Sequence, residues 1–162
     1  MVFWVPLLSW TLALALAALA VARAPRPLPP GFVADRLMRY LFLLPVGLMG
    51  LWGALGHVFF ASEAARAIGW EPSPFQSEVG MANLGIGMGG LIAAFYGNWG
   101  FRLGVAVVTA GFLGGAATVH LVQIVETGNL AAGNAGPILY TDILTPLTLL
   151  VLLALSRHTA RA

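Results

Sequence analysis

The feature that most constrains this chain is a series of five apolar stretches, each long enough to cross a bilayer as a helix. They cover residues 2–21, 40–61, 79–96, 103–125 and 138–155. A spanning helix needs roughly 20 apolar residues, because the hydrocarbon core is about 30 Å thick. Of all residues, 59% are hydrophobic and 9% are charged, against about 25% charged in soluble domains. We predict an all-α membrane protein with a single transmembrane domain over residues 1–162, in which the second to fifth helices form a compact bundle.

Composition excludes several classes of function. The chain has no cysteine, which rules out disulfides, thiolate metal sites, cysteine nucleophiles and cysteine-ligated iron–sulfur clusters. The net charge is only +2 and no basic patch with interleaved aromatic residues occurs, so we expect no nucleic-acid partner. The HExxH, GxSxG and P-loop signatures are also missing. These patterns therefore assign neither a catalytic residue nor a cofactor.

The arginines predict the orientation of the chain. Four of them precede the second stretch, one lies in the third connection and two follow the last stretch (Arg23, Arg26, Arg36, Arg39; Arg102; Arg157, Arg161). The positive-inside rule then places the N-terminus outside and the C-terminus in the cytoplasm, with Arg66 as the exception. No basic residue precedes the first stretch, unlike in a secretory signal, so we expect a retained helix. The expected location is a bacterial inner membrane.

An offset of 63 residues suggests an internal duplication. It aligns Arg39, His57 and Glu63 with Arg102, His120 and Glu126. The result would be a two-helix unit repeated in parallel, and ligand sites in such proteins often lie at the repeat interface. Because the intervening residues match poorly, coincidence is the alternative. In either case each histidine follows its arginine by 18 residues, about 27 Å of helical rise, which predicts that both lie near the outer boundary.

Small residues predict which way the two histidines point. Gly47, Gly50 and Ala54 share a helix face with His57, and small residues on a spanning helix mark close packing with another helix. His120 likewise shares its face with alanines. Both histidines should therefore face the interior of the bundle, where ionisable groups are usually functional or paired.

Nearby polar residues complete the candidate site. Gly85 and Gly89 lie on the same side of the third helix as Glu78, and Asp142 lies inside the last helix beyond Pro137. The predicted ligand-binding residues are His57, Glu78, Asn83, His120, Glu126 and Asp142, and the two histidines are the predicted metal ligands. Simpler roles compete: a histidine can fasten two helices, Asn83 can bond the neighbouring backbone, and the acids can be stabilised at helix ends.

Three uses suit paired histidines and carboxylates at an outward mouth. They can ligate a metal ion, or they can exchange hydrogen bonds and protons with a quinone-like molecule or a lipid headgroup. A proton path is less favoured, because it would need polar groups at midplane depth. The leading hypothesis is a redox-associated ligand-binding protein. The alternative is a structural or assembly subunit of a larger membrane complex or homo-oligomer, without chemistry of its own.

From the second stretch onward, the order of features resembles the DoxX-like group of small bacterial membrane proteins. Arg39 leads a glycine-containing helix that reaches Gly56, "AIGWEPSPF" follows, and Arg102 comes after the glycine-rich "VGMANLGIGMGGLIAAFYG". The resemblance implies a four-helix bundle with an added N-terminal helix and, for some members, quinone-linked sulfur oxidation. His57 stands where members commonly carry a lysine-containing helix end. A thiosulfate–quinone activity is therefore not expected, and no catalytic residue is transferred.

Overall fold

The structure is a computed structural model that describes residues 2–157, which form helices and no strand. The helices are α1 (Val5–Ala22), α2 (Phe32–Phe59), α3 (Ala61–Ile68), α4 (Phe75–Tyr96), α5 (Trp99–Thr127) and α6 (Pro137–Ser156). Within this range, all except α3 are long and apolar enough to cross a membrane. The predicted fold class is confirmed, and the chain is a multi-pass membrane protein. The predicted cytoplasmic tail at Arg161 lies outside the described residues.

Helix α2 begins eight residues before the predicted stretch, at Phe32 instead of residue 40. Its first turns carry Asp35 and Arg36. These charged residues are helical, but they interrupt the apolar run from which the stretch was predicted. Over Phe42–Leu48 the helix widens into a π-helical segment around Pro45. Proline has no N–H and its ring clashes with the carbonyl four residues earlier, so the regular α-helical pattern cannot continue through it.

Helices α2 and α4 cross at two glycines. A Cβ atom on Gly50 would lie 2.6 Å from Cα of Gly87, and one on Gly87 would lie 2.8 Å from the backbone nitrogen of Leu51. Two backbones can approach this closely only where neither residue has a side chain. The prediction that the Gly50 face of α2 packs against another helix is confirmed. On α4, however, the packed glycines are Gly87 and Gly90, whereas Gly85 meets no atom within 4 Å.

The remaining contacts divide the bundle into two helix pairs with α1 beside them. Helix α2 packs mainly on α4, and α5 packs mainly on α6. Helix α1 packs along residues 32–48 of α2, whereas the Met49–Phe59 part of α2 turns to α4. The two pairs are those that the predicted duplication would generate, and the duplication itself stays a prediction.

At the end of the bundle that carries Arg102, which we call the arginine end, an ion-pair cluster connects α2 to α5. Arg102 is 3% exposed, and its Nη1 donates to Oδ1 of Asp35 at 2.7 Å while its Nε donates to the carbonyl of Ala93 at 3.0 Å. Arg36 binds the other carboxylate oxygen of Asp35 at 2.7 Å. Above this cluster, Phe42, Leu149 and Leu153 are almost fully buried. This half of the bundle is solidly packed.

The opposite end, which carries His57 and His120, is the histidine end. A roof covers it, formed by α3 and the connection 128–136. Gly133 N–H donates to the carbonyl of Ala67 at 3.0 Å, and Asn129 Nδ2 donates to the carbonyl of Ile68 at 2.9 Å. A Cβ atom on Gly133 would lie 2.6 Å from the Ala67 oxygen, so the roof closes this tightly only with glycine there.

Candidate functional site

A cavity of about 820 Å³ lies between the two helix pairs, under the roof. Its walls are mostly aliphatic and aromatic, and a few polar groups are concentrated toward the histidine end. This size and composition are those of small-molecule sites, which are mostly apolar with a few converging polar groups. Of the predicted site residues, the cavity lining includes His57, Asn83, His120 and Asp142.

Asn134 fixes the orientation and the tautomer of His120. The carboxamide nitrogen of Asn134 donates to the backbone carbonyls of Asn129 and His120, at 2.9 and 3.3 Å. Its oxygen must therefore face Nδ1 of His120, 2.7 Å away, and that ring nitrogen carries the proton. Asn134 is fully buried. His120 consequently keeps Nε2 available for another partner.

Asp142 is the group that faces this free ring nitrogen. Its Oδ2 lies 3.9 Å from Nε2 of His120, beyond hydrogen-bond distance, and its side chain is only 5% exposed. Among the described residues, no side chain or backbone group donates a hydrogen bond to this carboxyl. Burying an unpaired carboxyl is expensive, so a carboxyl held in this position points to a partner within the cavity.

The indole ring of Trp70 lies against one face of the His120 imidazole ring. The rings of Trp70 and His120 stack with centroids 6.0 Å apart and planes inclined by 27°. The indole Nε1 of Trp70 is buried and has no hydrogen-bond partner among the described residues. An unpaired buried donor is uncommon in folded proteins. The cavity lining thus holds a second polar group whose hydrogen-bonding capacity is unused.

His57 and Asn83 are more fully occupied by the protein itself. Nδ1 of His57 lies 2.5 Å from Oε1 of Gln76, a side chain that is 5% exposed. Asn83 donates to the carbonyl of Val79 one turn earlier, at 2.9 Å, so its simpler predicted role is confirmed. Each histidine therefore binds a carboxamide oxygen from a later part of the chain. His57 binds Gln76 of α4, and His120 binds Asn134 of the connection 128–136.

Glu78 and Glu126 do not join this group. Both are exposed, and neither lines the cavity. Glu78 lies in the first turn of α4, where the positive end of the helix dipole stabilises a carboxylate. Glu126 lies in the last turn of α5 beside Thr127. Glu78 was placed near the mouth because it shares a helix face with Gly85, but the packed side of α4 is the one with Gly87. Glu126 was included because the 63-residue offset aligns it with Glu63.

A metal site receives little support from this arrangement. Within residues 2–157, no three His, Asp or Glu side chains are grouped so that they could hold a metal ion. The Nδ1 atoms of His57 and His120 are already engaged by carboxamides. The cavity therefore suits an organic molecule better than a metal.

The cavity ends before the arginine end. Trp10 Nε1 donates to Oγ1 of Thr145 at 3.0 Å and links α1 to α6 at the end of the cavity that is nearer the arginine end. Below this bond lies the packed core around Leu149 and the Arg102 ion pair. The structure thus contains a blind cavity, which does not favour the proton path.

Three residues of the site were not found from the sequence: Asn134, Gln76 and Trp70. Asn134 lies in a stretch rich in glycine and asparagine, which is typical of an exposed loop, and Gln76 looked like part of a polar connection. Tryptophan next to the end of a spanning helix is typical of the headgroup region, which hides the role of Trp70. The sequence gives one indication of their role, which is that polar side chains occur soon after each histidine-bearing helix. Such side chains are too common in connections to identify these residues as part of a site.

These features define a small helical membrane protein with a blind, mostly apolar cavity and a buried histidine–carboxylate pair. The chain belongs to DUF6790, a family of unknown function whose family model matches residues 3–162. Comparisons with curated proteins and with solved structures found no match. The resemblance to the DoxX-like group stays a prediction.

Proposed function

We propose that this protein binds a small organic molecule with an apolar body and an oxygen-bearing polar end, such as a quinone-like molecule or a lipid. The polar end would lie against His120 and Asp142, and the apolar body would extend toward Ile86 and Phe112. The observation that carries the proposal is that Nε2 of His120 and the Asp142 carboxyl, 3.9 Å apart and without a hydrogen bond between them, face one apolar cavity.

The chemistry of this pair suits such a ligand. With its proton on Nδ1, neutral His120 accepts a hydrogen bond at Nε2, and when protonated it donates one there. The adjacent carboxyl gives the pair both an acceptor and a second proton site. A carbonyl or hydroxyl oxygen between them would satisfy both groups, and a quinone-like occupant would make the protein redox-associated.

Protein purified in mild detergent should retain such a molecule in stoichiometric amount. Organic extraction followed by mass spectrometry identifies it and distinguishes a quinone from a lipid. Asp142→Leu should weaken its retention about tenfold, because a hydrogen bond between the carboxyl and the ligand is lost. When both proteins are compared in ligand-free form, thermal unfolding should show no loss of stability, since among the described residues no hydrogen-bond partner is left unpaired by this change. Loss of the bound ligand by itself lowers the unfolding temperature.

Glu78→Gln is the matched control, because it removes an exposed carboxyl that does not line the cavity. It should retain the ligand at the wild-type level. If extraction recovers nothing from the wild type and Asp142→Leu changes only stability, the binding proposal is wrong and the structural or assembly role replaces it. Metal analysis of the same sample tests the metal alternative.

We further propose a bacterial inner-membrane location with the histidine end outside and the arginine end in the cytoplasm, supported by the arginine distribution. A reporter that is active only in the cytoplasm should work when fused at the C-terminus. A reporter active only outside should work when inserted at Gly133, within the roof. The reverse pattern would contradict this orientation and place the cavity on the cytoplasmic side.

A further inference from the structure

We infer that the cavity is loaded sideways from the lipid, through a gap between α1 and the outer half of α2, and therefore takes a molecule dissolved in the membrane. This inference rests on the proposed binding function and narrows its ligand to membrane-partitioned amphiphiles.

The roof closes the side that faces water. Its two parts are joined by the bonds from Gly133 to Ala67 and from Asn129 to Ile68. Asn134, within the same connection, is fully buried and bonded to both Asn129 and His120. A water-soluble molecule would have to break several hydrogen bonds to pass between α3 and this connection.

Three of the lateral sides are also closed. Helices α2 and α4 touch at the Gly50–Gly87 crossing. Helices α5 and α6 pack along one another, and the Trp10–Thr145 hydrogen bond joins α1 to α6. The sides left are the one between α1 and α2 and the one between α4 and α5.

The side between α1 and α2 opens because α1 contacts residues 32–48 of α2, whereas Met49–Phe59 turns away to α4. We call this gap the portal. Its α2 edge carries Trp52 and Leu55, and Phe60 follows directly after the helix; these residues line the cavity and are also 47%, 50% and 59% exposed. Its α1 edge consists of Pro6 and Trp10 together with Phe3, which precedes the helix, and they line the cavity as well.

The chemistry of the portal fits an amphiphile. Its edges are aromatic and aliphatic, as is suitable for an acyl or isoprenoid chain that slides in from the bilayer. Glu63, exposed and also in the cavity lining, follows Phe60 at the histidine end. A polar headgroup can remain in contact with this charged, hydrated end while the chain enters between the helices.

Gly56 provides a way to obstruct the portal without disturbing the packing. It lines the cavity, and a Cβ atom added to it meets no atom within 4 Å. Gly56→Phe should therefore fill the gap and leave the helix contacts unchanged. Gly115→Phe on α5 is the matched control, because Gly115 also meets no atom within 4 Å. It lies one turn from Val119, the exposed α5 residue of the lining, and so it tests whether a phenylalanine beside the cavity on another helix has the same effect.

The experiment follows quenching of tryptophan fluorescence by a decyl-substituted benzoquinone in stopped flow, with the protein in nanodiscs. A fatty acid with a nitroxide on its chain serves as the lipid arm. Gly56→Phe should slow both association and dissociation of the bound probe about tenfold, because an obstructed path lowers both rates. Gly115→Phe should behave like the wild type.

Equal rates in Gly56→Phe and wild type, or slowing only in Gly115→Phe, would overturn loading through the portal while leaving the binding proposal intact. Absence of specific quenching by both probes in every protein would instead contradict the binding proposal, and this inference with it. Should Gly56→Phe fold poorly, Gly56→Cys can be labelled after folding with a bulky maleimide, since the chain has no cysteine. Gly115→Cys is then its control.

Discussion

Replacing Gly87 with leucine should strongly destabilise the folded bundle. A Cβ atom at this position would lie 2.8 Å from the nitrogen of Leu51 and 3.0 Å from the carbonyl oxygen of Gly47. Both are backbone atoms of α2, and backbone cannot turn aside as a flexible side chain does. Overpacking typically costs about 1–3 kcal/mol, and we expect at least the upper part of that range. Size-exclusion chromatography in detergent should show loss of the monodisperse peak, and the remaining protein should unfold at a lower temperature.

Gly85→Leu is the control for this change, since it places the same side chain on the same helix two residues away. A Cβ atom on Gly85 meets nothing within 4 Å. Leucine is favoured over glycine inside a helix by about 1 kcal/mol or slightly less, so this variant should be as stable as the wild type or more so. Similar behaviour of the two variants would show that α2 and α4 do not cross at Gly87.

Removing Asp35 should be the most damaging change at the arginine end. Asp35→Asn removes the counter-charge of the buried Arg102 guanidinium, which is left with neutral oxygen acceptors such as the carbonyl of Ala93. Breaking a buried ion pair costs about 3–5 kcal/mol, and we expect the lower end because the Asp35 side chain is 36% exposed. Arg102→Leu should be less harmful, since no charge is then left buried. The free energy of unfolding, measured by denaturant titration in mixed micelles, gives both values, and the double variant gives the coupling between them.

Glu63→Gln tests whether the loss of an exposed ion pair lowers the free energy of unfolding as much as the loss of the buried one. Glu63 binds Arg66 at 3.2 Å, but both side chains are more than 60% exposed (62% and 69%). Exposed pairs contribute about 0–1 kcal/mol, so this variant should hardly change the free energy of unfolding. A loss comparable to that of Asp35→Asn would mean that the burial of Arg102 does not decide the energetics of the arginine end.

The two halves of the molecule differ in how they are packed. Toward the arginine end, large apolar side chains such as Phe42 and Leu149 fill the interior, and an ion pair locks α2 to α5. Toward the histidine end, the helix pairs separate and the interior contains a cavity. The packed half supplies stability, and this permits the other half to keep polar side chains oriented around open space, as a binding site requires.

The candidate site could be predicted only in part. His120 and Asp142 were selected because ionisable groups within apolar stretches are rare, and both line the cavity. Glu78 was included on the assumption that Gly85 and Gly89 mark the packed face of α4. Every face of that helix carries glycine or other small residues, so the sequence did not indicate which face meets α2.

What the sequence determined by itself is the number of spans, the all-α class, and the close-packed face of α2 around Gly50. These follow from properties that act locally, namely the length of an apolar stretch, helical periodicity and the absence of a side chain. Only the tertiary structure decided that α1 separates from the outer half of α2, that Asn134 orients His120, and that Asp35 neutralises Arg102. The contact of Asn134 with His120 joins residues 14 positions apart, and that of Asp35 with Arg102 joins residues 67 positions apart. Their existence depends on how rigid helices fill space together, and no periodicity within one segment contains that information.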